Sequence, residues 1–164
     1  MNDHDIRQPG LTEHSRTGEQ SIFHRREFAA PAALVQRAHT EVDLFTQWMG
    51  PRGTTVRVDR FDATTGGAFR YVVEAASGGS WPFRGSYHRV EPGLIVHTWE
   101  YEDELGVTLE TLKFIDLDGE SSALEVTSTY TSKEGCDAML ASGMDAGMDE
   151  DFERLDATLA EAQK

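Results

Sequence analysis

Apolar residues change their spacing twice along the chain, and each change predicts a new kind of element. Residues 21–28 alternate loosely between apolar and polar side chains, which predicts a first β-strand. Two short helices then follow. Ala30 and Pro31 open the first helix, because proline is tolerated in a first helical turn, and Gly50 with Pro51 ends the second.

The central part of the chain, residues 54–131, has apolar side chains at every second position. This period is that of β-strands, whose successive side chains point to opposite faces of a sheet. The connectors are short and rich in Gly, Pro and Asp, so they make turns between antiparallel strands. The predicted strands lie at about residues 56–59, 69–74, 81–91, 94–101, 107–116 and 122–131.

The C-terminal part returns to a helical spacing. Its apolar residues recur in steps of three or four, which predicts one amphipathic helix about 20 residues and roughly 30 Å long; they are Leu140, Met144, Met148, Phe152, Leu155, Leu159 and Ala162. A sheet curved around this helix would bury both apolar faces. The sequence therefore predicts an α+β architecture in which one curved sheet wraps around one long helix. It has six or seven antiparallel strands, two short helices after the first strand and one long C-terminal helix.

The first 20 residues show no hydrophobic periodicity and predict a flexible N-terminal tail, so the folded domain is expected to span residues 21–164. The chain carries 29 acidic and 15 basic residues, a net charge of −14. The acidic excess lies in residues 98–120 and 134–164. Such a field repels phosphate groups, so we expect neither nucleic acid nor an anionic membrane as a partner.

Several features predict a cytoplasmic protein. No apolar stretch is long enough for a membrane span, and the polar N-terminus does not read as a signal peptide. Cys136 is the single cysteine, so no internal disulfide is expected. The sequence has no nucleophile elbow, phosphate-binding loop or paired-cysteine motif. We assign no catalytic residue and expect no cofactor, and whether the protein is an enzyme stays open.

The turn at Pro92 and Gly93 defines a hairpin that carries aromatic, histidine and arginine side chains. A two-residue loop would place four facing pairs on one side of this hairpin: Val90 and Ile95, His88 and His97, Ser86 and Trp99, and Arg84 and Tyr101. Large apolar groups mixed with a few polar ones are typical of a cavity wall. A longer loop would shift the register by one residue and change these pairs.

His88 and His97 leave three interpretations open. They are packed or surface histidines with ordinary hydrogen bonds, residues that orient a polar group of a ligand, or metal ligands. No third ligand is evident from the spacing, so we predict no metal site. Arg84 either binds a ligand carboxylate or pairs with an acid on a neighbouring strand.

Gly143 and Gly147 lie inside the predicted C-terminal helix, beside Met144 and Met148. Each interior glycine costs a helix about 1 kcal/mol relative to alanine. Two explanations remain open. The glycines permit close approach of the helix to its neighbours, or they leave space for a ligand whose shape the methionine side chains follow.

Four segments carry a resemblance to a known family: FAAPAALVQRAHTEVDLFTQWMGPRG, TGGAFRY, FRGSYHRVEPGLIVHTW and SGMDAGMDEDFERLDATLAEA. In this order and spacing the chain resembles, over about residues 21–162, the homologues of the heat-shock protein 90 ATPase activator. These belong to the START-like (SRPBCC) helix-grip superfamily. The resemblance implies a cavity between the sheet and the long helix. Members of the superfamily bind lipids, sterols or polyketides, and some are cyclases.

The resemblance implies that a small hydrophobic or amphipathic molecule is the partner. The alternative partner is a chaperone, with the protein acting as an ATPase activator-like co-chaperone or stress-response protein. In either case we expect a monomer or a homodimer. Any catalysis would be of the cyclase kind. The residues expected to contact a ligand are Trp48, Phe69, Tyr71, Arg84, His88, His97, Trp99, Tyr101, Met144, Gly147 and Met148.

Overall fold

Eight strands form one antiparallel sheet in the computed structural model, which describes residues 10–164. The order of strands across the sheet is β1-β2-β8-β7-β6-β5-β4-β3, and four helices complete this part of the chain. The elements are β1 (Thr12–Thr17), β2 (Ser21–Phe28), α1 (Ala32–Thr40), α2 (Val42–Trp48), β3 (Thr54–Phe61), β4 (Ala68–Ala75), β5 (Ser80–Glu91), β6 (Leu94–Tyr101), β7 (Thr108–Asp116), β8 (Ser122–Thr129), α3 (Lys133–Ala141) and α4 (Met144–Ala162). The predicted α+β helix-grip architecture is confirmed, with one strand more than expected.

The additional strand is β1, which lies in the region predicted to be a flexible tail. Thr12–Thr17 pairs with β2 along its whole length, so this part of the tail prediction is wrong. The strand is polar on both faces and therefore gives no hydrophobic signal. Backbone pairing and polar contacts hold it, including an ion pair of 2.6 Å between Arg16 and Asp137. Residues 1–9 of the predicted tail lie outside the described residues.

The C-terminal helical region consists of two helices and not one. Gly143 adopts a left-handed backbone conformation with φ of 79°, which separates α3 from α4. Glycine adopts this conformation without the steric penalty that a side chain brings. The apolar spacing continues from Leu140 to Met144 across the break, so periodicity alone predicted one helix. The long gripping helix is α4, with 19 residues.

The core lies between the inner face of the sheet and helices α1, α2 and α4. Leu155 and Leu159 of α4 are buried, and Phe152 meets Phe28 of β2 edge-on with ring centroids 5.5 Å apart. Trp48 ends α2 inside this core, where its indole Nε1–H donates to the carbonyl of Ala38 at 2.9 Å. Each fully buried large apolar side chain contributes about 1.5–3 kcal/mol to folding. None of the helices in residues 10–164 is long and apolar enough to cross a membrane.

A β-bulge in β5 decides which side chains face the core. Val90 lies opposite Ile95 as predicted, but the register shifts by one residue between Tyr87 and Arg89. His97 therefore pairs with Tyr87, and the predicted pair of His88 and His97 is wrong. The extra residue of a bulge has no partner on the neighbouring strand.

Beyond the bulge, the other predicted pairs change accordingly. Tyr101 pairs with Phe83, and Arg84 pairs with Glu100 on the outer face. The bulge thus turns the aromatic side chains of β5 toward the interior, on the same side as the aromatic residues of β6.

Candidate functional site

A cavity of about 520 Å³ lies between the inner face of the sheet and helices α2 and α4. Volumes of this size, lined mainly by apolar groups, are typical of sites for small molecules. The apolar and aromatic side chains that line it are Phe45, Trp48, Met49, Pro51, Phe61, Phe69, Tyr71, Val73, Trp81, Phe83, Tyr87, Ile95, Trp99, Leu112, Leu124, Val126, Tyr130, Met139, Met144, Met148 and Phe152.

The opening of the cavity is marked by lining residues that are also exposed to solvent. These are Pro51 after α2, Trp81 at the start of β5 and Gly147 in α4. Trp81 is 39% exposed, which is unusual for so large an apolar side chain. The cavity is therefore open to solvent where the strand ends approach the first half of α4.

An aromatic wall runs across strands β4, β5 and β6. Tyr71 meets Phe83 with centroids 5.4 Å apart, and Phe83 stacks on Trp99 at 5.2 Å. Trp99 Nε1–H donates to Tyr71 Oη at 3.4 Å. Burial raises the pKa of Tyr71, so its hydroxyl stays neutral at physiological pH. The wall offers a flat, uncharged surface to a ring-bearing ligand.

Beside this wall, His97 of β6, Glu110 of β7 and Ser128 of β8 form the principal polar group of the site. His97 Nε2 lies 3.3 Å from Glu110 Oε1, and Ser128 Oγ–H donates to Glu110 Oε2 at 2.8 Å. Burial raises the pKa of Glu110, but the hydrogen bonds from His97 and Ser128 lower it more, so it lies below its ordinary value. The carboxylate is therefore charged. Nδ1 of His97 is buried and has no hydrogen-bond partner among the described residues.

Asp151 brings a second unpartnered polar atom to the cavity, from the inner face of α4. Its Oδ1 is buried without a hydrogen-bond partner in residues 10–164. Burial raises its pKa to about 7, although the nearby Arg154 lowers it in part. The Arg154 guanidinium itself donates to the carbonyls of Gln47 and Gly50 in the α2–β3 connection. Asp151 thus places a carboxyl with one unpartnered buried oxygen in an apolar wall.

His39 of α1 also lines the cavity, between the rings of Trp48 and Phe114. Its Nδ1–H donates to the carbonyl of Val35 at 2.8 Å, which leaves Nε2 as an acceptor. Burial lowers the pKa of His39 to about 4, so the imidazole is neutral at pH 7.

The structure brings most of the predicted ligand-contacting residues together around the cavity. Those that line it are Trp48, Phe69, Tyr71, His97, Trp99, Met144, Gly147 and Met148. Their contact with a ligand stays a prediction.

Three predicted residues do not line the cavity. Arg84 points to the outer face and donates to Glu100 at 2.7 Å, so it pairs with an acid on a neighbouring strand, which was the second of the two predicted alternatives. His88 is exposed at the bulge, and the Tyr101 hydroxyl donates to Asp103 at 3.1 Å. The bulge is the reason for Arg84 and His88, because their predicted face depended on an unbroken register in β5, whereas Tyr101 is the last residue of β6 and packs against Phe83.

The two glycines of the C-terminal region have separate explanations. Gly143 is needed for the left-handed turn between α3 and α4. A Cβ atom on Gly147 would have no heavy atom within 4 Å, so close helix packing does not require glycine there. Its small size widens the cavity that it lines.

Sequence reasoning missed His39, Glu110 and Asp151. Glu110 could have been found, because it precedes the inward-facing Leu112 by two positions in a strand. Asp151 follows Met148 by three residues and so lies on the same helical face, but acids are frequent throughout this helix and do not single it out.

Solved structures with this fold come from several bacteria. A crystal structure from Rhodobacter sphaeroides is 28% identical, with a TM-score of 0.86 over 92% of this chain and 99% of that chain. A solution NMR structure from Arthrobacter aurescens is 25% identical, with a TM-score of 0.82 over 91% of each chain. The AHSA1 protein from Silicibacter pomeroyi shares the fold, with 20% identity and a TM-score of 0.71 over 87% of this chain and 99% of that chain. No curated protein matches the sequence.

The family model described as "Activator of Hsp90 ATPase homolog 1-like protein" matches residues 29–160. This range extends from the start of α1 almost to the end of α4, so it includes the cavity and both layers that enclose it. The resemblance of the four sequence segments is thereby confirmed, and the chain belongs to the Activator of Hsp90 ATPase homolog 1-like family, with a START-like helix-grip fold.

Proposed function

We propose that the protein binds a small hydrophobic or amphipathic molecule in the cavity between the sheet and α4. The observation that carries this proposal is an open, aromatic-lined volume of about 520 Å³ inside a chain of only 164 residues. Burial of about 200 Å² of apolar ligand surface would contribute about 5 kcal/mol, before the entropic cost of association is subtracted. Shape and apolar area would supply most of the affinity.

The polar end of the ligand would meet His97 or Asp151, whose Nδ1 and Oδ1 atoms, respectively, are buried and have no hydrogen-bond partner among the described residues. The charged Glu110 behind His97 fixes the orientation of the imidazole. A hydroxyl group suits both His97 and Asp151. It can donate and accept hydrogen bonds, so it can pair with either atom whether or not that atom carries a proton. Ring systems that carry one or two hydroxyl groups are therefore the ligand class that this cavity favours.

Gly147 provides the sharpest test, because it lines the cavity and no heavy atom lies near its missing Cβ. The Gly147→Trp variant would fill the space with an indole, whereas Gly147→Ala adds one methyl group. The probe is N-phenyl-1-naphthylamine, a neutral fluorophore. It should bind the wild type and Gly147→Ala with one saturable site, and Gly147→Trp should bind it at least tenfold more weakly.

The three tryptophans of the protein give an internal readout, since Trp48, Trp81 and Trp99 all line the cavity. A bound fluorophore should quench their emission by energy transfer. Equal binding of the probe by Gly147→Trp and the wild type would mean that the probe sits elsewhere, and the proposal would fail.

A second candidate function is modulation of a chaperone ATPase, which the family match favours. The observation on this chain that supports it is an exposed apolar group in an acidic segment, formed by Leu105, Val107 and Leu109. The test is the ATPase rate of the heat-shock protein 90 from the same organism at saturating protein. An unchanged rate removes this candidate, and a changed rate that Leu105→Ser abolishes supports it.

A further inference from the structure

We propose that His14, His24 and Asp145 bind a divalent transition-metal ion of the zinc type. This site lies where β1, β2 and the first turn of α4 meet, and none of the three side chains lines the cavity. The proposal is therefore independent of the proposed ligand-binding function.

The geometry brings three potential ligand atoms to one point. His14 and His24 lie directly opposite each other in the β1–β2 pair, with their Nδ1 atoms 2.7 Å apart. Asp145 Oδ1 lies 3.4 Å from His14 Nδ1, and all three atoms are within 4.8 Å of one another. Bonds of 2.0–2.1 Å to a tetrahedral zinc ion place its ligand atoms about 3.3 Å apart. Separation of the two imidazoles by about half an ångström would admit the ion.

The polar groups at this point are incompletely satisfied by the protein. Asp145 Oδ1 is buried and has no hydrogen-bond partner among the described residues. The His24 side chain is only 1% exposed, so water cannot easily replace a missing partner. Two neutral imidazoles facing each other share a single hydrogen between their Nδ1 atoms, and the carboxylate oxygen beside them has no donor. A cation at this point would satisfy the three ligand atoms, His14 Nδ1, His24 Nδ1 and Asp145 Oδ1.

A second acid orients the first histidine. His14 Nε2 lies 3.0 Å from Asp149 Oδ1, one helical turn beyond Asp145 on α4. When Nε2–H donates to this carboxylate, the Nδ1 lone pair of His14 points toward His24 and Asp145. Histidines that bind metals usually donate their other ring N–H to a carboxylate in this way.

The donor set indicates the class of metal. Two imidazole nitrogens and one carboxylate oxygen suit zinc, cobalt, nickel or copper, whereas calcium and magnesium prefer oxygen ligands throughout. Three protein ligands leave at least one coordination position for water. Spacing in the sequence did not indicate this site, because its ligands come from three separate elements, and one of them is a strand that periodicity did not detect.

Binding would join an edge strand to the helix that covers the cavity. Asp145 is in the first turn of α4, directly after Met144, which lines the cavity. The ion would therefore brace the start of α4 against β1 and β2. We expect the melting temperature to rise in the presence of zinc, since a ligand bound only by the folded state stabilises it.

The experiment uses the full chain without an affinity tag, because a polyhistidine tag binds the same ions. Zinc binding is measured by isothermal titration calorimetry, and cobalt binding by visible absorption, whose intensity reports tetrahedral coordination. The expected result is one equivalent of metal per chain. His14→Ala and Asp145→Asn should each weaken binding at least tenfold.

The matched control is His88→Ala, which removes an exposed histidine outside the site and should leave metal affinity unchanged. Circular dichroism of each variant shows that it is folded, and Asp145→Asn keeps the shape of the side chain it replaces. The absence of saturable zinc and cobalt binding to the wild type would overturn the proposal. Equal affinity of the wild type and the two site variants would do the same.

Discussion

Arg26 and Asp156 form a bidentate ion pair between β2 and α4, with Nη1–Oδ1 at 2.5 Å and Nη2–Oδ2 at 2.6 Å. The arginine side chain is 2% exposed and its guanidinium lies over the Phe28 ring, 4.7 Å from the centroid. Asp156 is partly exposed to solvent. Its carboxylate compensates the buried positive charge of Arg26. The pair therefore fixes α4 over the sheet at a position where apolar packing alone would leave a cation unpaired.

Loss of the carboxylate should destabilise the protein strongly. Asp156→Ala leaves the Arg26 guanidinium buried and uncompensated, and we expect a decrease of about 2–4 kcal/mol in the free energy of unfolding. Urea denaturation measures this change. The control is Glu161→Ala on the same helix, where an exposed pair with Lys164 should contribute less than about 0.5 kcal/mol. Equal effects of the two substitutions would contradict the proposed role of the buried pair.

Gly85 in β5 should not tolerate a side chain. A Cβ atom there would lie 1.9 Å from the Thr98 carbonyl oxygen and 2.5 Å from the Phe69 ring. Gly85→Ala must displace backbone, so we expect a loss of about 3 kcal/mol of stability. Gly147→Ala is the matched control, because it meets no atom within 4 Å and should stabilise α4 by about 1 kcal/mol. Thermal unfolding measures both effects: the melting temperature should fall for Gly85→Ala and rise for Gly147→Ala.

Asp151 should make stability depend on pH. Its pKa is raised by burial to about 7 in the folded state, from 3.8 for an unperturbed group. Between these values the folded state binds more protons than the unfolded state, so stability decreases as pH rises from about 4 to 7 and then levels off. At about 1.4 kcal/mol per pH unit, the decrease is at most about 4 kcal/mol.

Asp151→Asn isolates this contribution, because it keeps the shape of the side chain and cannot ionise. The difference in unfolding free energy between wild type and variant should change with pH in this window, in favour of the variant at high pH. Parallel curves for the two proteins would show that Asp151 titrates normally.

His97 should decide whether the cavity distinguishes hydroxylated ligands. We expect the wild type to bind 2-naphthol about tenfold more tightly than 2-methylnaphthalene, which corresponds to one additional hydrogen bond of about 1–1.5 kcal/mol. His97→Phe should retain affinity for 2-methylnaphthalene and lose the preference for the hydroxyl. The control variant His88→Ala, which changes an exposed residue outside the cavity, should keep the preference for the hydroxylated ligand. Competition against N-phenyl-1-naphthylamine measures the affinities of all three proteins for both ligands.

The sequence predicted the fold where local patterns determine it. The spacing of apolar residues from Met144 to Leu159 and the alternation in the strands reflect burial directly, so the sheet and α4 were predictable. The bulge at His88 was not, because no residue type specifies it and the competing register also placed apolar groups inside. β1 escaped detection because backbone pairing and polar contacts hold it, and neither leaves a hydrophobic pattern.

Apart from His97, the cavity lining was predictable only in its apolar part. Aromatic residues such as Trp48 and Trp99 followed from the core pattern and the family resemblance. Glu110 and Asp151 owe their chemistry to burial, which depends on tertiary structure, and an acid-rich sequence does not indicate which carboxyl groups are buried.

The hydrogen bonds of Arg154 to the α2–β3 connection bear on how a ligand would reach the cavity. The guanidinium donates to the carbonyls of Gln47, Gly50 and Pro51, so the backbone on one side of the entrance is tied to α4 at several points. The exposed Trp81 indole also lines the cavity, and its movement needs only side-chain rotation. Entry and release of the proposed ligand should therefore depend on rotation of the Trp81 side chain, which is faster than a rearrangement of the main chain.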